Sequence, residues 1–349
     1  MNKTNIVNCI LCESSTELKY KKYPGYKVPS EFNIHYCTKC NTSFSMPRVD
    51  STEIYELIYK NGPEVRWYDR YWRNAEIVKT ELKPLNYLAE SEDVYWSVIE
   101  SIRSITENGK IDANILEIGC GLGYLTYSLN KEGYSSQGLD ISQAAVNQAI
   151  QNYGDHYICA DIQEYAINHG KEYDVVIFTE VIEHLNDISI FMESIKKLLK
   201  SDGKIILTTP NKSFYPKDII WATDLPPVHC WWLSEDSIQY IASKLNMNVS
   251  FLNFKKFYLK HATWVDLTKV SIPFTPQVFD REGRLIGKTT RIFKDENVIK
   301  KILKKVEFLK LIYAFVHYFR VRYKENILIP RNRGPVLCAI LFNKQEIQK

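Results

Sequence analysis

Four side chains in two stretches of the sequence have the chemistry to activate a hydroxyl group. Glu180, Glu183 and His184 are separated by three and four residues, so one helical turn would bring the three side chains to one face. His229 follows later, in a segment whose two prolines restrict the backbone. Carboxylates and imidazoles accept protons and bind divalent cations, so we treat these four residues as the candidate catalytic set.

Three interpretations of this set remain open from the residues alone. In the first, the four side chains hold a divalent ion such as Mg²⁺, which binds two neighbouring hydroxyls and lowers the pKa of one. In the second, His184 or His229 removes the hydroxyl proton directly without a metal, since imidazole titrates near neutral pH. In the third, Glu183 and His184 only cap and pack a helix.

The elements that must position this set begin with a buried strand and a glycine-rich loop. An apolar run containing Glu117 leads into Gly119, Gly121 and Gly123, and Asp140 closes a second apolar run about one βαβ unit later. The glycines let the chain turn tightly and approach a nucleoside, and a carboxylate at this distance can accept both hydroxyls of a ribose. The pattern therefore predicts a cofactor that contains a nucleoside.

Strands and helices alternate beyond this loop. Such alternation is typical of a doubly wound α/β fold with a parallel sheet, whose ligands bind at the carboxyl ends of the strands. The turn that carries Glu180 follows one of these strands and is expected at that edge. The predicted strands are 156–162, ending in Asp161, and 173–181, and the predicted helices lie near 124–132, 143–152 and 187–200.

The order and spacing of these motifs resemble those of the class I S-adenosylmethionine-dependent methyltransferases, over roughly residues 85–260 and the last strand. The Glu117-x-Gly-x-Gly-x-Gly run is similar to their first motif, Asp140 to their ribose-binding acid, and Asp161-Ile162 to the pair beside the adenine. The segment that begins Asp202-Gly203 resembles the start of their fifth strand. The resemblance implies S-adenosylmethionine as cofactor and a Rossmann-like sheet of seven strands, the last one antiparallel.

The resemblance also implies which residues contact the cofactor. Either Thr179 or Glu180 would lie near its methionine end. Residues 51–108 are predicted to form a helical bridge, in which an aromatic and basic cluster at 66–73 either covers the ligands as a lid or packs between the two flanking parts. The predicted cofactor contacts are Glu117, Gly119, Gly121, Gly123, Asp140, Ile141, Asp161, Ile162 and Thr179, with Tyr68 and Tyr71 from the aromatic cluster.

Four cysteines near the N-terminus have the spacing of a structural zinc site. Cys9 and Cys12 form one Cys-x-x-Cys pair, and Cys37 and Cys40 form a second pair after 24 intervening residues. Two such pairs suit tetrahedral Zn²⁺ in a chain segment too short to build its own core, whereas disulfides need an oxidising compartment. We expect a closed zinc ribbon over residues 1–50. A four-cysteine module ahead of a methyltransferase domain is similar to the arrangement in deoxysugar methyltransferases.

The last hundred residues are predicted to contain an insertion. Residues 249–259 and 335–343 resemble the sixth and seventh strands, which leaves about 260–334 as a helical insertion in a methyltransferase domain over 109–349. The stretch 294–333 has 11 Lys and Arg against 4 Asp and Glu. Its helix-like run, 296–324, either contacts an anionic membrane surface or packs an apolar face on the core or on a second subunit.

Composition bounds the function. A net charge of +4 is too small to argue for nucleic acid. The sequence contains no apolar stretch of about 18 residues and no signal-peptide pattern, so we expect a cytosolic protein. The alternative considered is a cytosolic protein that contacts the inner face of the membrane.

The expected function is methyl transfer from S-adenosylmethionine to a hydroxyl of a sugar, either nucleotide-linked or part of a surface glycan. Two rival reactions are 2′-O-methylation of RNA and C-methylation of a keto-sugar, and a non-catalytic binding protein is the rival outside enzymology. The Glu-x-x-Glu-His pattern with a later histidine resembles the metal site of small-RNA 2′-O-methyltransferases and, to a lesser degree, of ubiquinone-pathway O-methyltransferases.

Overall fold

The N-terminal part of the chain forms a small antiparallel sheet followed by helices. The structure, a computed structural model, describes residues 7–65, 68–106, 113–214, 225–261, 277–286 and 332–344. Four helices occupy the predicted bridge, and Val94, Val98 and Ile102 of the fourth repeat every four residues and are buried. The elements are β1 (Glu17–Pro24), β2 (Glu31–Cys37), β3 (Thr42–Met46), α1 (Thr52–Asn61), α2 (Asp69–Thr80), α3 (Pro84–Ser91) and α4 (Asp93–Ile105).

Strands and helices alternate through the following part, as predicted. The elements are β4 (Asn114–Ile118), α5 (Tyr124–Glu132), β5 (Ser135–Asp140), α6 (Gln143–Tyr153), β6 (Tyr157–Cys159), α7 (Ile162–Asn168), β7 (Tyr173–Thr179), α8 (Ile188–Leu198), β8 (Leu199–Pro210), β9 (Trp231–Trp232), α9 (Glu235–Lys244), β10 (Met247–Phe251), α10 (Lys255–His261) and β11 (Val336–Asn343).

Seven of the described strands form one sheet in the order β10-β11-β8-β7-β4-β5-β6. The five strands from β8 to β6 pair in parallel, and β11 runs antiparallel to both β8 and β10. The predicted doubly wound α/β sheet with an antiparallel last strand is therefore confirmed. The chain winds outward from β4 to β6 and returns to the other side of β4 with β7, so the loops after β4 and β7 border a topological switch point.

The core covers both faces of this sheet. Val176 and Ile205 belong to the apolar cluster on one face, whereas their neighbours Val175 and Ile206 belong to the cluster on the other. Strands buried on both faces read as continuous apolar runs, which explains why the central strands were easy to predict.

Two predicted strands end earlier than expected. The run 156–162 forms a strand only over Tyr157–Cys159, because the side chain of Asp161 instead caps α7 by accepting from the backbone N–H of Gln163 at 2.7 Å. The run 173–181 ends at Thr179, because Glu180 adopts a φ of 53° in the left-handed region.

The predicted strand 249–259 is wrong beyond Phe251, where the chain turns into α10. Phe254 and Phe257 stand three residues apart and both pack against Trp96, with ring centroids 5.6 and 5.4 Å from it. A run of aromatic residues suits a strand by composition, but this spacing places both rings on one side of a helix.

The N-terminal module is less separate than the predicted boundary at residue 50 implies. Its sheet has the order β1-β2-β3-β9, and β9 comes from a segment that follows β8 in the chain. Ser43 pairs with Trp232 and Phe44 pairs with Trp231. The predicted module therefore takes a strand from the other part of the molecule.

The predicted C-terminal insertion at about 260–334 lies mostly outside the described residues, and its basic run at 296–324 lies wholly outside them. The described piece 277–286 packs on the N-terminal module, where Val28 N–H donates to the carbonyl oxygen of Phe279 at 3.0 Å. Within the described ranges, no helix combines the length and the apolar character needed to cross a bilayer.

Candidate functional site

The glycine loop after β4 lies tightly against the elements that flank the switch point. Gly119 has a φ of 70°, and a Cβ at this position would come within 2.6 Å of Val181 Cγ2 in the turn after β7. Its N–H donates to the carbonyl oxygen of Leu139 at the end of β5, at 2.7 Å. Only glycine fits a left-handed backbone at so close an approach, so the loop can lie directly against the turn after β7 at the switch point.

Asp140 links the glycine loop to the end of β5. Its Oδ2 accepts from the N–H of Gly121 and its Oδ1 from the N–H of Ser142, both at 2.8 Å. Burial raises the pKa of the Asp140 carboxyl, against the lowering effect of these donors. The next side chain, Ile141, is 74% exposed at the same edge, which offers an apolar surface beside the acid for a nucleoside base.

Glu117 lies beneath the loop. Its Oε2 accepts from both the N–H and the Oγ1–H of Thr126, at 2.9 and 2.5 Å, and its burial raises the pKa of the carboxyl to about 7. These contacts tie the end of β4 to the first turn of α5 and so fix the glycine loop between them. The predicted contact of Glu117 with the cofactor stays a prediction.

The remaining predicted cofactor residues lie along the same edge. Gly123 has a φ of 79° and precedes α5. Asp161 is half-buried and caps α7, while Ile162 is buried in the core. Thr179 ends β7, in register with Thr208 of β8. The structure thus brings the predicted residues to one sheet edge, and their contacts with a cofactor stay predictions.

Helix α1 places two tyrosines near the candidate site, a position that the sequence did not predict. The hydroxyl of Tyr59 lies 4.0 Å from the position of a Cβ on Gly121, and the ring of Tyr55 meets His184 edge-on with centroids 6.2 Å apart. The two tyrosines are four residues apart and so share one face of the helix. A Tyr-x-x-x-Tyr spacing next to buried Ile54 and Ile58 was the available signal.

The predicted lid tyrosines pack mainly against protein. Tyr68 and Tyr71 meet edge to face, with centroids 5.6 Å apart. Arg70 donates through Nη2 to the Tyr71 hydroxyl at 2.9 Å and through Nη1 to Glu92 at 3.0 Å. This network anchors α2 to α4, and a ligand contact of either tyrosine stays a prediction.

Three of the four candidate catalytic residues converge. The ligand atoms of Glu183, His184 and His229 all lie within 4.8 Å of one another, and Glu180 is not a member of this group. The left-handed backbone of Glu180 precedes a 3₁₀ helix over Ile182–His184, so the expected single helical turn that places Glu180 on the same face does not form. The residue types alone predicted the cluster of Glu183, His184 and His229. The exclusion of Glu180 from it could not be predicted, because it depends on the backbone angle of Glu180.

The hydrogen bonds of this group define what it can do. Nδ1 of His184 lies 2.7 Å from the carbonyl oxygen of Val228, which can only accept, so Nδ1 carries a proton. In the neutral ring, Nε2 is then an acceptor, and it lies 3.8 Å from Oε1 of Glu183. The Oε2 atom of Glu183 accepts from Thr209 Oγ1 at 2.9 Å. At 3.8 Å the two electron-rich atoms are too far apart to share a proton, but a cation fits between them.

Burial keeps the second histidine neutral. Desolvation lowers the pKa of His229 to about 3, and the positive charge of Arg70 acts in the same direction. Its ring is perpendicular to that of His184, with centroids 4.5 Å apart. Glu183 is 1% exposed and the side chain of His184 is 19% exposed, so a ligand would approach from the histidine side.

The four N-terminal cysteines converge as a second group. The Sγ atoms of Cys9 and Cys40 are 3.6 Å apart, those of Cys12 and Cys37 are 3.4 Å apart, and all four lie within 4.8 Å of one another. Tetrahedral zinc with Zn–S bonds of about 2.3 Å needs sulfurs about 3.8 Å apart, whereas a disulfide needs about 2.05 Å. The donor set fits zinc. Burial raises the pKa of the Cys37 thiol, so a nearby cation is needed to favour its thiolate form.

Comparison with known proteins agrees with this geometry. Residues 93–250 match the model of a family described as a methyltransferase domain. The chain is 33% identical over 121 residues to the ubiquinone biosynthesis O-methyltransferase of Rickettsia bellii, a match that covers 33% of this chain and 49% of the relative. It is 29% identical over 155 residues to the enzyme of the same name from Salmonella paratyphi A, covering 42% and 57%.

Among solved structures, a SAM-dependent methyltransferase from Archaeoglobus fulgidus aligns with 71% of this chain and 93% of its own, at 19% identity and a TM-score of 0.40. The match to each of the two ubiquinone biosynthesis O-methyltransferases spans about half of that relative's length. The family match covers the strands and helices that build the switch point, and the motif residues lie within it. Residues 93–250 therefore match a methyltransferase domain in sequence, and they include most strands of the Rossmann-like sheet.

Proposed function

We propose that this chain transfers a methyl group from S-adenosylmethionine to a hydroxyl oxygen of a sugar, either nucleotide-linked or part of a surface glycan. The observation that carries the proposal is the convergence of Glu183, His184 and His229 beside the glycine loop. Val181, which meets Gly119, immediately precedes the 3₁₀ helix that carries Glu183 and His184. A methyl donor at the loop and an acceptor at the cluster would therefore be neighbours.

The cofactor supplies a methyl group on a positively charged sulfur. The chain binds and orients it. Asp140 would bind the ribose and the exposed Ile141 would contact the base, which is supported by their position beside the glycine loop and by the approach of Tyr59 to Gly121. Thr179 at the end of β7, or Glu180 directly after it, would lie near the methionine end of the cofactor.

The acceptor needs a catalyst because a sugar hydroxyl is a very weak acid. Nε2 of His184 is held ready to accept its proton by the hydrogen bond of Nδ1 to Val228. Alternatively, Glu183, His184 and His229 hold Mg²⁺, which would bind two neighbouring hydroxyls. General-base help contributes about 10²- to 10⁴-fold and a metal several kcal/mol, so either is sufficient to matter.

The four cysteines are proposed to hold one structural zinc ion. A site with four cysteine ligands is closed, because it keeps no open position for substrate or water. The zinc would therefore act on the fold of the N-terminal module and not directly on the acceptor.

The choice of acceptor rests on two different observations. The order of modules, with four cysteines ahead of the methyltransferase domain, supports a sugar. The two relatives reported above are named for ubiquinone biosynthesis, which supports an intermediate of that pathway as a second candidate. Both candidates are methylated on oxygen, so the proposed chemistry of the cluster is the same.

The test is a methyl-transfer assay over nucleotide sugars, glycan acceptors, ubiquinone precursors and RNA. It compares the wild type with Glu183→Ala and His229→Ala, and Glu193→Ala on the exposed face of α8 is the matched control. We expect at least about a 100-fold loss in both cluster variants and none in the control.

Loss of activity in EDTA that Mg²⁺ alone restores would identify a metal at the cluster, and indifference to EDTA would identify an imidazole base. Unchanged rates in both cluster variants would contradict the proposed acceptor site. Product NMR that shows the new methyl on carbon would contradict O-methylation.

A further inference from the structure

The segment that carries His229 is held on one side by the four-cysteine module. Ser45 N–H in β3 donates to the carbonyl oxygen of Cys230 at 3.0 Å. Tyr26 N–H donates to the carbonyl oxygen of Pro226 at 2.8 Å. Residues 225–233, which we call the histidine segment, include β9, which pairs with β3. Backbone hydrogen bonds thus join the module to the residues on both sides of His229.

On its other side, the histidine segment is bound to the turn that carries Glu183 and His184. Cys230 N–H donates to the carbonyl oxygen of Glu183 at 2.8 Å, and Trp231 Nε1 donates to that of Leu185 at 2.7 Å. The carbonyl oxygen of Val228 accepts from His184. The histidine segment therefore lies between the module and the cluster and contacts both.

Side chains strengthen the join with the module. Trp231 is buried, its ring packs against Phe44 with centroids 5.7 Å apart, and the guanidinium of Arg48 lies 4.1 Å from its centroid. Thr42 Oγ1 and Ser237 Oγ are 2.7 Å apart at the start of α9. These contacts bury aromatic surface that neither part could cover alone.

The four cysteines lie next to β3, the strand that pairs with the histidine segment. Cys37 is the last residue of β2 and Cys40 lies two residues before β3, so both stand at the turn between the two strands. The opposite pair, Cys9 and Cys12, comes from the chain before β1. A sheet this small has little apolar core of its own, and a four-cysteine metal site would supply most of its stability.

We infer that the four-cysteine module, with zinc bound, is a positioning element that fixes the histidine segment and hence His229 against Glu183 and His184. This inference rests on the proposed function in assigning His229 to the acceptor site. The zinc takes no part in the reaction itself. Its loss is expected to loosen β3, release residues 225–233 and leave the cofactor edge of the large sheet in place.

The test is hydrogen exchange of the full-length protein before and after zinc removal, followed by mass spectrometry. We expect the amide protection of peptides within 225–233 to fall at least about tenfold, and that of peptides within 114–140 to stay unchanged. Calorimetric binding of S-adenosylhomocysteine should persist with a Kd within about twofold, because its predicted contacts lie on β4 and β5. Methyl transfer is not measured, so a wrong acceptor would not affect the result.

A variant that retains zinc distinguishes loss of the contact between the module and the histidine segment from unfolding of the whole chain. Phe44→Leu weakens the contact with Trp231 without touching a cysteine, and Phe32→Leu is the control, because buried Phe32 of β2 pairs with Tyr23 on the far strand β1. We expect lower protection of 225–233 in Phe44→Leu alone, with one zinc per chain in both variants.

Two results would overturn the inference. Unchanged protection of 225–233 after zinc removal would show that the large domain holds the segment by itself. Loss of S-adenosylhomocysteine binding together with protection throughout the chain would show that zinc supports the whole fold and not the histidine segment in particular.

Discussion

Two buried acids at the sheet edge predicted to bind the cofactor have different hydrogen-bond partners. Glu117 is bound by the N–H and hydroxyl of Thr126, whereas Asp140 is bound by the backbone N–H groups of Gly121 and Ser142. Both acids were predictable, because Glu117 lies in the apolar run that leads into the glycines and Asp140 closes the next apolar run. That Glu117 supports the loop from below was not predictable, since it depends on the first turn of α5.

Replacing Glu117 by Gln should remove one component of the pH dependence of stability. Burial raises the pKa of Glu117 to about 7 in the folded chain from an ordinary value of 4.5. Folding therefore takes up a proton in this window, and the free energy of unfolding falls as pH rises through it. Gln keeps an acceptor for Thr126 and carries no charge.

The measurement is the melting temperature from pH 4.5 to 8 for the wild type and Glu117→Gln. We expect the wild type to lose stability relative to the variant as pH rises, by about 1 kcal/mol or more in total. Parallel profiles of the two proteins would show that Glu117 does not titrate in this range.

At the scale of elements, the central strands followed from the sequence, and the helices of the predicted bridge did so only in outline. Apolar runs identified β4 and β7, because strands buried on both faces contain few polar residues. The aromatic run after Phe251 was assigned to a strand although its rings follow helical spacing. The role of α1 was missed because a tyrosine on a helix surface gives no sign of what lies opposite.

Tyr59→Ala tests the position of α1 over the glycine loop. The Tyr59 hydroxyl lies close to Gly121, so loss of the ring should open the cofactor edge to water. We expect about a tenfold increase in the Kd for S-adenosylhomocysteine, measured by calorimetry. Lys60→Ala, on the exposed face of the same helix, is the control. Equal affinities in the two variants would place α1 away from the ligand.

In the described part of the molecule, residues 225–233 link the small sheet to the large one. Trp231 and Trp232 complete the small sheet, and the residues before them reach the cluster at the edge of the large one. The sequence predicted both parts but drew a boundary at residue 50, because pairing between distant segments has no local signature. A two-residue strand is also too short for hydrophobic periodicity to reveal it.

Deletion of residues 1–50 should therefore not leave a monomeric, stably folded remainder of the chain. Trp231 and Trp232 are 2% and 0% exposed, and without β3 their rings would face water. We expect aggregation or strong binding of a hydrophobic dye, measured by size-exclusion chromatography and dye fluorescence. A monomeric deletion product that binds S-adenosylhomocysteine like the full chain would contradict the observed dependence of the two sheets on each other.

The most direct test of the central claim is a calorimetric titration of S-adenosylhomocysteine into the wild type, Asp140→Asn and Asp155→Asn. Asp140 ends β5 beside the glycine loop, and Asp155 is an exposed acid in the same domain. Tight binding by the wild type and Asp155→Asn, with at least about tenfold weaker binding by Asp140→Asn, is the predicted result. Absence of binding to the wild type, or equal affinity in all three proteins, would contradict a cofactor site at this edge.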